Sequence, residues 1–315
     1  MQRLHLKVIK RGSEAEDIAS FTLGAVDGGA LPTWTPGAHI AIRLSNGMTR
    51  QYSLCGRVDD DRSYRVAVLK EENGRGGSAF IHANLNVGDV IEASEPANRF
   101  VLEPIERYCF IGGGIGITPL LPMIESARAS GADWELFYGA RNRGRMAFRD
   151  ELAGLRQQVH FWPQDEEGVL PLRDIVTKAG NALIYACGPG VMLDRLQEAC
   201  NQVGASDRLR LERFSGADLL EVEHGETLPF TAVIASTGQE IPVGPTQTLL
   251  DALLDAGVDV IFSCEEGTCG TCELKVIEGT PDHRDHILTE SQKASGQYIM
   301  PCVSRSLSNR IVLDI

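Results

Sequence analysis

Four cysteines near the end of the chain constrain its fold more than any other feature. Three of them stand in the run Cys264-Glu-Glu-Gly-Thr-Cys269-Gly-Thr-Cys272, and Cys302 follows further along. This C-x4-C-x2-C spacing with one distant cysteine is typical of plant-type [2Fe–2S] sites, in which two irons take four thiolates. The two glycines within the run support the prediction, because a loop wrapped around sulfides needs positive φ angles and N–H groups directed at sulfur.

Zinc ligation and buried free thiols are the alternative interpretations of these cysteines. Structural zinc sites usually combine one C-x2-C pair with a second short pair, and the sequence has no second pair. The chain has eight cysteines, and those outside the cluster are scattered through apolar stretches, unlike the disulfide framework of a small secreted protein. Metal ligation in a reducing compartment is the better interpretation. Since no signal-peptide pattern opens the chain and no apolar run could span a bilayer, we expect a cytoplasmic protein without a membrane partner.

Length and charge narrow the remaining classes. A chain of 315 residues with 43% hydrophobic and 23% charged residues is globular and long enough for two or three domains. Its net charge of −13 argues against a nucleic-acid partner, which would need a basic face. From Glu226 onward there are 13 acidic and 5 basic residues, so this segment carries much of the excess. It could steer a basic partner or be an ordinary solvated surface.

The first hundred residues and the next hundred have different periodicities. Short runs of alternating apolar and polar residues, such as His5–Ile9, His39–Leu44 and Tyr64–Leu69, predict an antiparallel barrel or sandwich. From about Glu106, apolar strands alternate with helical stretches, which predicts a parallel α/β sheet. The predicted elements are strand Tyr108–Ile111, helix Thr118–Ser130, strand Trp134–Tyr138, helix Phe148–Gln157, strand His160–Trp162, helix Leu172–Ala179 and strand Ala182–Ala186.

A third pattern begins after the charged stretch Asp218–Glu226, which we interpret as a linker. Beyond it the sequence predicts a hairpin of Phe230–Ile234 and Gln239–Val243, a helix over Thr248–Ala256, the cysteine loop and late strands. Three domains are therefore expected.

A glycine-rich turn lies where the second pattern starts. Gly112-Gly-Gly-Ile-Gly-Ile-Thr-Pro119 connects an apolar strand to a helix, a setting in which backbone amides and the helix N-terminus can approach a pyrophosphate. Pro119 replaces the last glycine of the usual fingerprint, and no acid ends the second strand. An ordinary turn is the alternative.

Two further stretches in the first pattern suggest a second cofactor. Arg50-Gln-Tyr-Ser-Leu54 could pair a phosphate, cover a flavin ring and contact its polar edge. Asn73-Gly-Arg-Gly-Gly-Ser78 offers a nest of amides for a phosphate. Taken alone, the first stretch is more often a barrel strand with one face exposed, and the second is more often a hairpin loop.

Taken together and in this order, the motifs resemble those of the phthalate dioxygenase reductase family over essentially the whole chain. The resemblance implies a multidomain fold. Its parts are an FMN-binding antiparallel β-barrel over 1–104, an NAD(P)H-binding α/β domain with a parallel sheet over 105–225, and an α+β, β-grasp plant-type [2Fe–2S] ferredoxin domain over 226–315.

The resemblance also implies roles for individual residues. The implied FMN ligands are Arg50, Tyr52 and Ser53 with the phosphate loop Arg75, Gly76, Gly77 and Ser78. The implied nucleotide ligands are Gly112, Gly113, Gly114, Gly116, Thr118, Cys187, Gly188 and Pro189. Thr118, Cys187 and Phe214 are expected to shape the stack of nicotinamide on flavin, although from its residues alone Phe214 is better placed in a core.

The preferred nicotinamide coenzyme is less clear from the sequence. Arg141, Arg143 and Arg145 follow the second strand, where arginines could bind the 2′-phosphate of NADPH. Members of the family usually use NADH, which we expect here, with Arg141 as a candidate nucleotide ligand.

The implied activity is hydride transfer from NADH to FMN, followed by single-electron transfer through the cluster to the Rieske centre of a separate terminal oxygenase. The chain itself has no Cys-x-His pair and no set of two histidines and a carboxylate for such an oxygenase. Alternative acceptors are a cytochrome P450 or a diiron oxygenase, and another class is a redox sensor that does not turn over NADH. We expect a monomer, because joined modules can pass electrons internally.

Overall fold

The computed structural model describes residues 3–71, 76–155, 157–214, 227–262, 265, 267, 270–285 and 287–315. The chain separates into two compact units that divide after Phe214. None of the helices within the described ranges is both long and apolar enough to cross a lipid bilayer.

The first unit begins with an antiparallel sheet built from the alternating runs. Its strands are β1 (Arg3–Ala15), β2 (Ile18–Ala25), β3 (Ala38–Arg43), β4 (Thr49–Ser53), β5 (Ser63–Leu69), β6 (Val90–Ser94) and β7 (Ala97–Asn98), with helix α1 (Gly77–Asn84) between β5 and β6.

The strand order is β4-β3-β6-β1-β2-β5, and β7 pairs with β3. The Cys55 amide, just after β4, donates to the Arg65 carbonyl of β5 at 2.8 Å, which brings the two outer strands together as in a barrel. Apolar side chains such as Leu6, Phe21 and Ile40 fill the interior with no exposed surface.

The second half of this unit is an α/β layer. Its strands are β8 (Arg107–Gly113), β9 (Asp133–Ala140), β10 (Val159–Pro163), β11 (Leu183–Cys187) and β12 (Leu209–Glu212), and its helices are α2 (Leu120–Ser130), α3 (Arg149–Leu152), α4 (Gln164–Glu167), α5 (Leu172–Ala179) and α6 (Gly190–Gln202). All strand pairs are parallel, in the order β10-β9-β8-β11-β12. The predicted parallel sheet is confirmed.

The predicted helix over Phe148–Gln157 is wrong in extent. Helix α3 ends at Leu152, and a 3-10 turn, Ala153–Leu155, follows it. Phe148 is 2% exposed and has a φ of +58°, so tertiary packing rather than helix propensity sets the backbone there. The Arg65 guanidinium of β5 covers the Phe148 ring at 4.9 Å and pairs with Glu151 at 2.6 Å, which holds the two layers of this unit together.

The described part of the second unit contains a mixed sheet and two short helices. Its elements are β13 (Phe230–Ile234), β14 (Glu240–Val243), α7 (Leu249–Asp255), β15 (Leu274–Glu278), β16 (Pro281–Asp282), α8 (Glu290–Ser295), β17 (Tyr298–Ile299), β18 (Arg305–Ser306) and β19 (Arg310–Leu313). The larger sheet has the order β14-β13-β19-β15-β17, and the predicted β13–β14 hairpin is antiparallel. Helix α7 buries Leu249 and Leu253 in the core of this unit.

Candidate functional site

The arginine of β4 meets the N-terminus of α1. Gly76 precedes the helix with a φ of +81°, and a Cβ added to Gly77 would lie 2.6 Å from Nε of Arg50. Backbone N–H groups at a helix N-terminus and a guanidinium both bind phosphate oxygens. The arrangement fits a phosphate group, provided that position 77 carries no side chain.

Tyr52 and Ser53 complete the same strand. Arg50 and Tyr52 share one face of β4, because side chains alternate along a strand. Burial raises the pKa of the Tyr52 hydroxyl, so the ring stays neutral at physiological pH. A flat, neutral aromatic ring beside an arginine is a suitable wall for a planar cofactor.

The glycine-rich turn after β8 and the segment Cys187–Pro189 after β11 pack directly on each other at the carboxyl end of the parallel sheet. Gly112 of β8 pairs with Cys187 of β11. A Cβ added to Gly116 would overlap the Cys187 carbonyl, and one added to Gly188 would lie 2.9 Å from the Gly113 Cα. These glycines are therefore required by close approach of two backbones, in addition to any contact with a ligand.

The turn between β8 and α2 presents backbone to solvent. Gly114 has a φ of +54°, and a Cβ built on it would meet nothing within 4 Å. Thr118 is 2% exposed, and its Oγ1 donates to the Ile115 carbonyl at 2.9 Å. Pro189, just before α6, closes the other side of the site. An open, glycine-bearing turn at the end of a parallel strand fits a pyrophosphate.

Cys187 is fully buried, and its thiol is protonated. Burial raises its pKa well above the ordinary value, and the nearby Glu212 carboxyl raises it further. A thiol of this kind is a poor nucleophile. The predicted role in shaping the nicotinamide pocket is chemically compatible with these surroundings.

Glu212, at the end of β12, is a candidate site residue that the motifs did not single out. Its Oε2 is buried and has no hydrogen-bond partner among the described residues, and Ser53 lies beside its carboxyl. Burial raises the pKa of Glu212 to about 8. The residue joins the barrel motif to the nucleotide motif, since it also faces Cys187. Its place two positions before Phe214 was the available sequence signal.

Phe214 is 38% exposed, which excludes a core position. The residue before it, Arg213, is largely buried and pairs with Asp194 of α6 at 2.7 Å. The salt bridge anchors the chain one residue before the ring. An exposed ring next to Glu212 is available to cover a planar group.

The arginines after β9 are largely engaged with acids. Arg143 pairs with Glu166, and Arg145 pairs with Asp17 of the barrel layer. Arg141 is exposed. The predicted residues Arg75, Cys264 and Cys269 lie outside the described residues.

Two of the four predicted cluster ligands meet in the second unit. Cys272 and Cys302 are 3% and 5% exposed, and their Sγ atoms lie 3.2 Å apart. Neither forms a disulfide; Cys272 belongs to the cysteine loop and Cys302 to the turn after β17. Two buried thiols that converge without a disulfide fit a thiolate-ligated metal group.

The described glycines of the cysteine loop have the predicted backbone. Gly267 and Gly270 have φ angles of +69° and +64°. A Cβ on Gly267 would approach the Val303 side chain to 2.5 Å. The loop therefore packs beside Cys302 only because glycine stands there, as a four-cysteine site requires.

Two families of known domains match separate parts of this chain. Residues 232–307 match the family of 2Fe-2S iron-sulfur cluster binding domains. Residues 110–198 match the oxidoreductase NAD-binding domain.

Two curated relatives match nearly the whole chain. Tetrachlorobenzoquinone reductase of Sphingobium chlorophenolicum is 40% identical over 310 residues, which cover 96% of this chain and 94% of the relative. Vanillate O-demethylase oxidoreductase of Pseudomonas sp. (strain HR199 / DSM 7063) is 38% identical over 308 residues, or 96% of each chain.

Two solved structures also match nearly the whole length of this chain. An intact type IV self-sufficient cytochrome P450 monooxygenase matches with a TM-score of 0.87 and 38% identity, over 99% of this chain and 41% of that longer chain. Phthalate dioxygenase reductase, a modular protein for electron transfer from pyridine nucleotides to [2Fe–2S], matches with a TM-score of 0.76 and 33% identity, over 99% of this chain and 98% of that one. The chain belongs to the phthalate dioxygenase reductase family.

Proposed function

We propose that this chain is the reductase of an oxygenase system, which oxidises NADH and delivers single electrons through its [2Fe–2S] domain to a terminal oxygenase. The contact between Ser53 and Glu212 carries the proposal, because it joins the predicted flavin motif to Cys187 of the nucleotide motif. A nucleotide bound at Cys187 would have its reacting end beside a cofactor bound at Arg50. The buried thiols of the second unit support one-electron delivery.

FMN is the flavin we propose for the barrel. Arg50 and the N-terminus of α1 offer one phosphate position on the same strand as Tyr52, which suits a monophosphate. When bound, a flavin accepts two electrons as a hydride and releases them singly, and a [2Fe–2S] cluster carries one at a time. The protein residues supply position and electrostatics.

Thr118, Cys187 and Glu212 would position the nicotinamide and exclude water from it. Glu212 holds a proton on its carboxyl at neutral pH, since burial raises its pKa to about 8. A neutral carboxyl puts no negative charge beside the path of a hydride. Phe214 would cover the flavin face until the nicotinamide displaces the ring.

The proposed partner is a Rieske-type terminal oxygenase, which the similarity to phthalate dioxygenase reductase supports. A cytochrome P450 is the second candidate, because the chain also matches part of a self-sufficient P450 monooxygenase. Reconstitution with each purified oxygenase class, with NADH as the electron source, separates the two. Product formation with the P450 alone would overturn the Rieske assignment.

The remaining proposals concern organisation. We propose a monomer of three domains, 1–104, 105–225 and 226–315, acting in the cytoplasm without a nucleic-acid or membrane partner. The net charge of −13 supports the exclusion of nucleic acid.

A pair of cysteine variants tests the proposed function. Cys302→Ala should retain NADH-dependent flavin reduction but lower electron delivery to the oxygenase by about 100-fold or more, because one cluster ligand is gone. Cys200→Ala is the matched control, since Cys200 is equally buried but lies in α6. Stopped-flow absorbance measures the first step and product formation the second. Equal delivery by both variants would contradict the proposed path.

A further inference from the structure

The order of the parallel strands locates the nucleotide. Strands β8, β9 and β10 run outward in one direction, and β11 and β12 run outward in the other. Ligands of such sheets bind outside the carboxyl ends of the strands, where the order reverses. Here the reversal lies between β8 and β11, at Gly112 and Cys187.

The contact of β12 with the barrel sets the direction of the bound nucleotide. Glu212 ends β12 and lies beside Ser53, so the nicotinamide end belongs on the β11–β12 side of the reversal. The adenosine end of a bound nucleotide would then lie over the carboxyl ends of β9 and β10. Three strand spacings separate β11 from β10, about 14 Å, which an extended dinucleotide can span.

An ion pair lies at the carboxyl ends of β9 and β10. Arg143, in the turn after β9, donates from Nε to both Glu166 oxygens at 2.7 and 3.0 Å and from its second terminal nitrogen, Nη2, to Oε2 at 2.7 Å. Glu166 lies on α4, directly after β10. The Asp165 amide of α4 donates to the Arg141 carbonyl at 3.1 Å, so the two loops are also joined through their backbones.

The side chains are about half exposed, 50% for Arg143 and 45% for Glu166. Exposed pairs of this kind contribute little to stability. The hydrogen bonds from Arg143 lower the pKa of Glu166, so the acid is ionised at neutral pH. The guanidinium fork that would bind a phosphate is therefore filled by a carboxylate.

We propose that the Arg143–Glu166 pair selects NADH over NADPH. The 2′-phosphate of NADPH carries nearly two negative charges and needs an available guanidinium. Arg145 does not supply one, because Asp17 holds it at 2.8 Å. The Arg141 side chain is exposed, and its carbonyl is hydrogen-bonded to the backbone of α4, which carries several acids. Glu166 thus both occupies Arg143 and repels the phosphate, whereas the 2′-hydroxyl of NADH meets no such penalty. This inference rests on the proposed use of a nicotinamide coenzyme.

Removing the negative charge of Glu166 should allow the 2′-phosphate to bind. In the holoenzyme, Glu166→Gln should tighten binding of 2′,5′-ADP by about tenfold or more, because a freed guanidinium makes charge-assisted bonds to phosphate. Binding of 5′-AMP should change by less than about threefold. The ratio of kcat/KM for NADPH to that for NADH, with ferricyanide as acceptor, should rise in parallel.

Two further variants make the test specific. Glu167→Gln removes the same charge one residue away, from an acid that does not hydrogen-bond with Arg143, and should leave the discrimination near the wild-type value. Adding Arg143→Leu to Glu166→Gln should abolish the gain. Equal behaviour of Glu166→Gln and Glu167→Gln would overturn the inference. If 2′,5′-ADP and 5′-AMP bind as predicted but the holoenzyme does not oxidise NADH, the proposed function is refuted and the inference stands.

Discussion

Among single residues, Glu212 has chemistry that is strongly changed by its surroundings. Burial raises its pKa from 4.5 to about 8. Between those values the folded chain binds more protons than the unfolded chain, so the free energy of unfolding falls as pH rises. The stabilising contribution of the protonated carboxyl is complete below about pH 4.5 and is lost as pH rises through the folded pKa.

Glu212→Gln should remove this dependence. We expect the free energy of unfolding of the wild type to fall relative to that of the variant between about pH 5 and pH 8, by up to about 1.4 kcal/mol per pH unit. The thermal midpoint should fall with it. Other titrating groups cancel in the difference. Thermal unfolding monitored by circular dichroism across this range provides the measurement, and parallel curves for the two proteins would show that the carboxyl is ionised throughout.

Residues with roles set by local spacing could be predicted from the sequence, whereas those set by distant contacts could not. Cys272 and Cys302 were predicted as ligands because cluster ligation imposes a spacing on the chain, and their Sγ atoms do meet. Glu212 acquires its elevated pKa from burial, against the opposing effect of Ser53, a residue distant in the sequence. Nothing in the sequence distinguishes Glu166 from other acids, because only the fold brings it into contact with Arg143.

Among the elements, the carboxyl ends of β8 and β11 are tightly constrained. The turn after β8 and the start of α6 approach each other through glycine backbones, with Gly116 against the Cys187 carbonyl. Interiors tolerate extra atoms poorly because they are already close-packed. The glycine-rich turn is therefore a packing requirement as well as a nucleotide motif.

Gly116→Ala should disrupt this approach. We expect a loss of about 1–3 kcal/mol of stability from overpacking, together with weaker NADH binding as the turn is displaced. Gly154→Ala is the control, because a Cβ there meets nothing within 4 Å. Thermal unfolding and NADH titration measure both effects. If the two alanine variants behave alike, the close approach does not constrain the site.

The sequence predicted elements best where one periodicity extended over a whole strand or helix. The β13–β14 hairpin and α5 were found in this way. Helix α1 was not recognised because its first residues read as a glycine loop. The helix predicted over Phe148–Gln157 was too long, because Phe148 is fixed in a left-handed conformation beneath Arg65.

For the molecule as a whole, the order of the motifs was more informative than any motif alone. A glycine-rich turn or an Arg-x-Tyr-Ser stretch is common by itself. Placed before a four-cysteine signature, they identified the family that whole-chain comparison then confirmed. NADH was expected from the family alone, because counting arginines does not reveal that Glu166 binds Arg143 and Asp17 binds Arg145.

In the proposed path, electrons from NADH reach the cysteine-ligated cluster within this one chain. Anaerobic mixing of the purified holoprotein with NADH, followed by stopped-flow absorbance and freeze-quench electron paramagnetic resonance, tests it directly. We expect flavin bleaching first and then the signal of a reduced [2Fe–2S] cluster. No flavin bleaching, or a cluster that stays oxidised after the flavin is reduced, would contradict the account.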